Sequence, residues 1–554
     1  MPDPLDVTPI HDLAVIGAGV NGLGIAQDAA LRSLDVVLVE QDDICSGVSA
    51  WSGRLIHGGL RYLEHRDFGL VRESLLERER LFRLAPHLVQ SVPLMMPLYR
   101  HNRRPAWLVR VGMIAYDILS FKKSPPRHRI LSRRETLERF PGLSLDGLTG
   151  AALFYEGQVE LAERLCVELA VDARQAGADI RTHLRVDGPL TGTPPAFQCT
   201  NTLTGGREQI RARVVLNVAG PWIDGVLRAD GVPTQPRLNG GTKGSHVVVD
   251  PFPGAPRDIV YYESRRDGRL VLVIPWLGRY LIGTTDIRFE DDPADARCDI
   301  GEAEYLLEEV NQLIPQANLG LGDVLFTYSG VRPLPYKPDS TESSVPRSHV
   351  LFDHDPDGLP GWVTVVGGKL TTYRQLAEEA VDLVFQRLDR KAPPCPTRDR
   401  PLPGSGDGDP SGLADRLAGS TGMPRRTAGR LARLYGVRAE EVWRLTAADA
   451  ALAEVLDQGS GLIGAEVLFA LQHELAVTLT DVLARRVLVA FERDHGLGSL
   501  EQIATMAATC AGWSDERRQQ EIAAYRRWLD HLAVPDASGP RSVSFGAEPA
   551  RAGR

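Results

Sequence analysis

The sequence predicts an α/β protein whose first domain is assembled from separated pieces of chain, joined to an antiparallel β-rich domain and a C-terminal helical domain. Three observations predict it: a glycine-rich strand, turn, helix and strand near the start, a return of that style at Trp362-Val-Thr-Val-Val-Gly367, and a change of texture between and beyond them. The opening unit runs Leu13-Ala-Val-Ile16, Gly17-x-Gly19-x-x-Gly22, then Val36-Val-Leu-Val-Glu40. Gly17 allows the sharp turn, Gly19 lets backbone approach a pyrophosphate at the helix N-terminus, and Gly22 allows tight helix-on-strand packing. Glu40 ends the second strand, where a carboxylate accepts hydrogen bonds from ribose hydroxyls, and an acid there favours an unphosphorylated ribose. The unit is a Rossmann-like dinucleotide cradle.

The next elements obey the same logic. Apolar residues at helical spacing from 161 to 175 predict a helix that Gly177 closes. Asp179-Ile-Arg-Thr and Arg213-Val-Val-Leu-Asn-Val-Ala-Gly220 read as further strands of the nucleotide sheet. Between 240 and 332, His246-Val-Val-Val, Leu270-Val-Leu-Val-Ile and Tyr280-Leu-Ile-Gly alternate β-branched and aromatic residues between glycines and prolines, which predicts a mostly antiparallel sheet. The proline- and glycine-rich run 393–410 reads as a linker, and the chain beyond it is helical in pattern. The expected limits are 1–100, 151–235 and 346–392 for the first domain, 101–150 for a helical insertion, and 236–345 for the β-rich domain. Beyond the linker come a helical domain, 411–532, and a disordered tail, 533–554.

Composition narrows the function classes. At 554 residues the chain exceeds one hydrophobic core, and 43% hydrophobic with 24% charged residues is globular. Sixty-three basic against 72 acidic residues leave a net charge of -9, which argues against a nucleic-acid partner. The six cysteines, at 45, 166, 199, 298, 395 and 510, form no C-x-x-C pair, so neither a disulfide frame nor a metal knuckle is expected and a reducing cytoplasm fits. The first eleven residues lack the basic and apolar stretches of a signal peptide. No run is long and apolar enough to span a bilayer. Residues 106–121 are nonetheless apolar, with Trp107, Val111, Ile114 and Ile118, and are flanked by Arg100, Arg103, Arg104, Lys122, Lys123 and Arg127. That pattern fits either an anchor lying on anionic lipid or a buried helix with solvated ends.

A second constellation, Ser52-Gly-Arg-Leu-Ile-His57-Gly58-Gly59-Leu-Arg61-Tyr62, brings an imidazole and a guanidinium close behind the cofactor turn. Histidine titrates nearest neutral pH and the arginine fork suits phosphate or carboxylate. Thr371 and Thr372 stand where helix N-caps belong. His473, Asp481, Arg485 and Arg486 read as one salt-bridged helical face docking on the body, with no metal assigned.

These residues resemble a known family. The run from Asp12 to Glu40 and Leu55-Ile-His-Gly-Gly-Leu-Arg-Tyr-Leu-Glu64 resemble the FAD-dependent glycerol-3-phosphate dehydrogenases, members of the D-amino-acid-oxidase-like flavoproteins. Asn217-Val-Ala-Gly-Pro-Trp222, Gly244-Ser-His246, Gly283-Thr-Thr-Asp286, Tyr328-Ser-Gly-Val-Arg332 and Gly367-Gly-Lys369-Leu-Thr-Thr-Tyr-Arg374 occur in the family's order, as does the helical block 473–486. One departure is Ser52-Gly53-Arg54, where members commonly carry Ser-Ser-Lys or Ser-Thr-Lys.

The resemblance implies that FAD is held by Gly17, Gly19, Asn21, Gly22, Glu40, Ser52, His57, Gly58, Gly59, Ala219, Gly220, Gly367, Gly368, Lys369, Leu370 and Thr371. It implies oxidation of glycerol 3-phosphate to dihydroxyacetone phosphate in the β-rich domain. Arg61, Tyr62, His246, Thr285, Arg332 and Lys369 are then the expected substrate ligands. His57 is the favoured base, with His246 competing for that role and Arg332 completing the catalytic group. The implied electron acceptor is a quinone at the cytoplasmic face of the inner membrane, with the protein peripheral to it. The alternatives are an oxidase that reduces oxygen to hydrogen peroxide, and a non-catalytic flavin-binding protein. A homodimer stays open.

Overall fold

The computed structural model describes residues 9–59, 67–120, 124–229, 233, 235–337, 348–406, 412–536 and 538. An eight-stranded sheet runs in the order Val350–Asp353, Trp362–Val366, Arg207–Asn217, Ile10–Ile16, Val36–Val39, Asp179–Arg181, and the strands Leu184–Leu190 and Ala196–Asn201 extend it from Arg207–Asn217. Its five inner members, Trp362–Val366 through Asp179–Arg181, are parallel. They come from three separate stretches of chain, which is the discontinuous assembly the sequence predicts. Their apolar runs do not alternate because both faces are covered. Leu13, Ala14, Val15, Val36 and Leu38 are fully buried, and the helices Val20–Leu31, Ala162–Gln175 and Tyr373–Arg387 pack together on one face.

The second sheet has ten strands, in the order Ile287–Arg288, Thr242–Val249, Arg279–Gly283, Leu270–Trp276, Ile259–Glu263, Val89–Tyr99, Leu148–Val159, Leu55–Ile56. Val324–Arg332 joins it on Thr242–Val249, and Arg129–Ser132 on Leu148–Val159. It therefore recruits four strands from before residue 160. The limits at 100 and 150 expected from sequence do not follow sheet membership. The physical reason is non-local pairing: Val89–Tyr99 and Leu148–Val159 form a long antiparallel pair, although the helices Ala106–Leu119 and Arg133–Arg139 lie between them in sequence.

Beyond residue 412 the chain is mainly helical, with one short two-stranded pairing of Val455–Asp457 and Leu462–Ile463. The run 473–486 is not one helix. Gly464–His473 ends there, Leu475 adopts φ 62°, and Leu479–Asp481 begins a new helix that continues into the π-turn Val482–Arg486. His473 is exposed, while Glu474 is fully buried. The docking expected of this segment is nevertheless present. Arg486 Nη1 and Nη2 donate to Asp43 at 2.5 and 2.7 Å, Asp481 Oδ2 lies 3.0 Å from His183 Nε2, and Arg164 donates to Glu474 at 2.6 and 2.8 Å. Desolvation of the charges offsets much of the attraction in such buried pairs, whereas removing one partner alone leaves a buried charge uncompensated. The proline-rich stretch before the helical domain is pinned rather than loose: Leu402 N donates to Leu84 O at 2.8 Å and Gly404 N to Glu168 Oε2 at 2.6 Å. Of the tail expected from 533, only 533–536 and 538 are among the described residues.

Candidate active site

A cavity of about 1090 Å³ lies between the two sheets, past the C-terminal ends of the parallel strands. That exceeds the roughly 300–1,000 Å³ of ordinary small-ligand sites. Gly17, Gly19, Asn21 and Glu40 line it. Gly17 has φ 111°, and a Cβ there would lie 2.7 Å from Val218 O, so the tight turn requires glycine. A Cβ on Gly22 would overlap Gly17 O. Gly22 is therefore a packing residue behind the turn and does not line the cavity. The helix Val20–Leu31 opens without a capping side chain at Gly19, and Ser49 supplies one from elsewhere, its Oγ accepting from Val20 N at 3.0 Å. The sequence reading missed Ser49, because a cap thirty residues downstream leaves no local signature.

Glu40 is held by backbone: Oε2 accepts from Ala18 N at 2.7 Å and Oε1 from Asp42 N at 3.1 Å. Burial, and then the neighbouring Asp42 charge, push its carboxyl up to about 7. The folded chain therefore retains a proton on Glu40 between the ordinary carboxylate range and about pH 7. Ribose hydroxyl donors favour the charged form, so binding releases that proton. We expect cofactor affinity of stripped protein to rise with pH, by up to about tenfold per unit, and to level off above about pH 7. Flavin fluorescence titrations at several pH values check this, and Glu40→Gln should flatten the profile.

The second wall comes from the blocks around residues 52 and 367. Ser52, His57, Gly59, Gly367, Gly368, Lys369, Leu370 and Thr371 all line the cavity, with Ala219 and Gly220 beside them. His57 N donates to Thr371 Oγ1 at 3.1 Å, tying the two blocks together. Thr371 thus binds a neighbouring turn rather than capping a helix. Thr372 occupies the N-cap position of Tyr373–Arg387 without a side-chain bond, so the capping roles expected of both threonines are not taken up. Gly58 does not line the cavity; its N–H donates to Tyr116 Oη and Glu156 Oε2 at 3.1 and 3.3 Å. Arg61 and Tyr62 lie outside the described residues.

The ten-stranded sheet supplies the third wall. His246 is opposite Gly283 on one neighbouring strand and Tyr328 on the other. Any side chain at 283 would collide with the imidazole. Burial, Arg332 and Arg54 press His246 down to about 3, so the ring is neutral across the physiological range. Arg332 donates to Asp286 Oδ1 and Thr284 Oγ1, each at 3.0 Å, and lines the cavity with Lys369. Thr285 does not line it. Its hydroxyl is fully buried, donating to Glu302 Oε1 at 2.6 Å and accepting from Ser245 N at 2.8 Å. Thr284, one residue earlier, faces the cavity instead, as a one-residue change of face on an extended chain dictates. The sequence reading also missed Arg269 and Arg288, which add positive charge to the same wall. Arg269 Nη1 is buried with no hydrogen-bond partner among the described residues.

The donor set fits FAD. A glycine turn approaches the helix N-terminus, and a carboxylate stands at the end of the second parallel strand. The buried atoms Asn21 Oδ1 and His246 Nδ1 have no partner within the described protein. Gly368, at φ 95°, leaves no room for a side chain beside Asn21.

Comparison with known proteins agrees with this geometry. Residues 12–374 match the FAD dependent oxidoreductase family, and residues 395–518 match the C-terminal domain of alpha-glycerophosphate oxidase. The chain is 43% identical over 539 residues to a glycerol-3-phosphate dehydrogenase of Synechocystis, covering 95% of this chain and 97% of that one. It is 38% identical over 485 residues to the D-erythritol 1-phosphate dehydrogenase of Brucella abortus, covering 86% and 93%. The solved glycerol-3-phosphate dehydrogenase of Bacillus halodurans, complexed with FAD, superposes with a TM-score of 0.77 at 26% identity, covering 95% of each chain. The chain belongs to the FAD-dependent glycerol-3-phosphate dehydrogenase family.

Proposed function

We propose that the protein oxidises sn-glycerol 3-phosphate to dihydroxyacetone phosphate and passes the electrons to a quinone. One observation carries the reading: neutral His246, His57 and the cations Arg332 and Lys369 share a single cavity with the dinucleotide cradle. When bound, FAD supplies at N5 the acceptor for the hydride that leaves C2. Arg332 and Lys369 hold the substrate phosphate through charge-assisted hydrogen bonds. His57 takes the C2 hydroxyl proton on a ring nitrogen as the ketone forms. His246 accepts a hydrogen bond from a substrate hydroxyl, a role its uncharged ring supports. Comparing kcat/KM for glycerol 3-phosphate and D-erythritol 1-phosphate tests the substrate, and a preference for the longer polyol would overturn the choice.

A surface feature supports a membrane-bound acceptor. The helix Ala106–Leu119 buries Val109, Met113 and Tyr116, while Trp107 is 65% exposed and Ile118 69%, with Leu108, Val111 and Ile114 also exposed. The two readings of this stretch therefore each describe one of its faces. Among the described residues no helix is long and apolar enough to cross a membrane. The exposed face would lie on anionic lipid at the cytoplasmic face, with the exposed Arg100 and Arg110 beside it. Arg103 and Arg104 line the cavity instead, and Lys122 and Lys123 lie outside the described residues. We expect Trp107→Gln with Ile114→Gln to float less with anionic vesicles at unchanged thermal stability, and equal partition would remove the membrane reading.

The match of the C-terminal region to an oxidase family favours a second reading, in which oxygen is the acceptor. Aerobic turnover without added quinone decides between them. Near-stoichiometric hydrogen peroxide would establish the oxidase.

A further inference from the structure

His246 presents a problem of orientation. A histidine ring is normally aimed by the hydrogen bond that one nitrogen makes, yet Nδ1 of this buried ring has no partner among the described residues. Packing must aim it. Gly283 bounds one side, and the Tyr328 ring, 4.9 Å away between centroids, bounds another. Tyr328 is itself fixed at two points. Its Oη donates to Ser52 O at 2.9 Å, and the guanidinium of Arg54 lies 5.9 Å from its ring centroid.

Arg54 is 0% exposed, an unusual state for a charged side chain. It makes a two-pronged pair with Glu163 at 2.6 and 2.8 Å and donates to Ala50 O at 3.1 Å. Its Cζ lies 4.8 Å from the Trp276 ring centroid and 5.4 Å from that of Phe491. The backbone is locked too, since Arg54 O accepts from Val159 N at 2.9 Å. A planar fork that pairs with a carboxylate and packs among aromatic rings is a task for arginine.

We propose that Arg54 is a positioning residue: clamped by Glu163 and packed against Tyr328, it fixes the ring against which His246 packs at a tilt, and so aims His246 at the substrate hydroxyl. The proposal rests on the reading of His246 as a substrate ligand. The nearby positive charge also helps to keep the imidazole neutral.

The test uses the flavin-loaded enzyme carrying Arg54→Met with Glu163→Gln, which leaves neither charge unpaired. KM for glycerol 3-phosphate, and the dissociation constant of dihydroxyacetone phosphate read from the flavin spectrum, should both rise about 3–10-fold. The loss should fall on KM rather than kcat, and affinity for inorganic phosphate, which meets only the cations, should hold. In a His246→Gln background the same pair of changes should add nothing. Equal weakening of phosphate and dihydroxyacetone phosphate would mark a merely structural role and overturn the proposal. An unchanged KM, with His246→Gln raising it, would overturn the positioning role alone. Should His246→Gln itself leave KM unchanged, the ligand reading falls and the proposal with it. If the double variant does not retain flavin, Tyr328→Leu reads the same relay with the Arg54–Glu163 pair intact: a raised KM supports the proposal and an unchanged one overturns it.

Discussion

His57→Ala should lower kcat about 10²–10⁴-fold, the usual worth of a positioned general base, while flavin stays bound. The ring belongs to a turn that lines the cavity, and the backbone N of that turn is held by Thr371 Oγ1. Truncating the side chain leaves that tie intact, so the loss is expected in the reaction rather than in the architecture. Rapid-mixing measurement of flavin reduction by glycerol 3-phosphate checks it directly. A His57 variant that reduces its flavin at the wild-type rate would transfer the proton-accepting role to His246. His246 would then have to take a proton while buried beside Arg332 and Arg54, which its depressed pKa opposes.

Gly19→Val should yield a folded protein without FAD. Gly19 has φ -72°, open to any residue, and the nearest atom to an added Cβ is Ser49 Oγ at 3.3 Å. The protein accommodates the branch at the expense of pyrophosphate space. Gly22→Val is a different experiment, because its side chain would strike the backbone of the turn itself. The purified Gly19 variant should be colourless and should melt like flavin-stripped wild type, since it lacks only the stabilisation that bound ligand provides. A yellow Gly19→Val protein would place the pyrophosphate elsewhere.

The parallel sheet was legible because three of its strands carry apolar runs that end at the glycines Gly17, Gly220 and Gly367, a pattern that needs no partner to be recognised. The turn at Gly17 and the acid at Glu40 were legible for the same reason: spacing along the chain equals geometry in space. Where spacing and geometry part, the sequence was silent. Val89–Tyr99 belongs to the second sheet through a partner strand about fifty to seventy residues away. Arg54 meets Glu163 across a separation of 109 residues, and nothing local distinguishes either from a solvated surface charge. Thr285 and Thr284 differ by one position on an extended chain, so choosing between them required the register with Thr242–Val249. Gly58 and Gly59 pose the same ambiguity: only the second faces the cavity. The helical reading of 473–486 failed at Leu475, whose left-handed backbone no local rule anticipates.

A flavin held within hydride reach of a phosphorylated polyol is the central claim, and an absorption spectrum taken before and after anaerobic addition of glycerol 3-phosphate tests it most directly. The purified protein should be yellow, and its oxidised band should bleach within the mixing experiment while dihydroxyacetone phosphate accumulates one for one. A protein that is colourless and takes up no FAD, or one whose flavin stays oxidised under substrate, would contradict it.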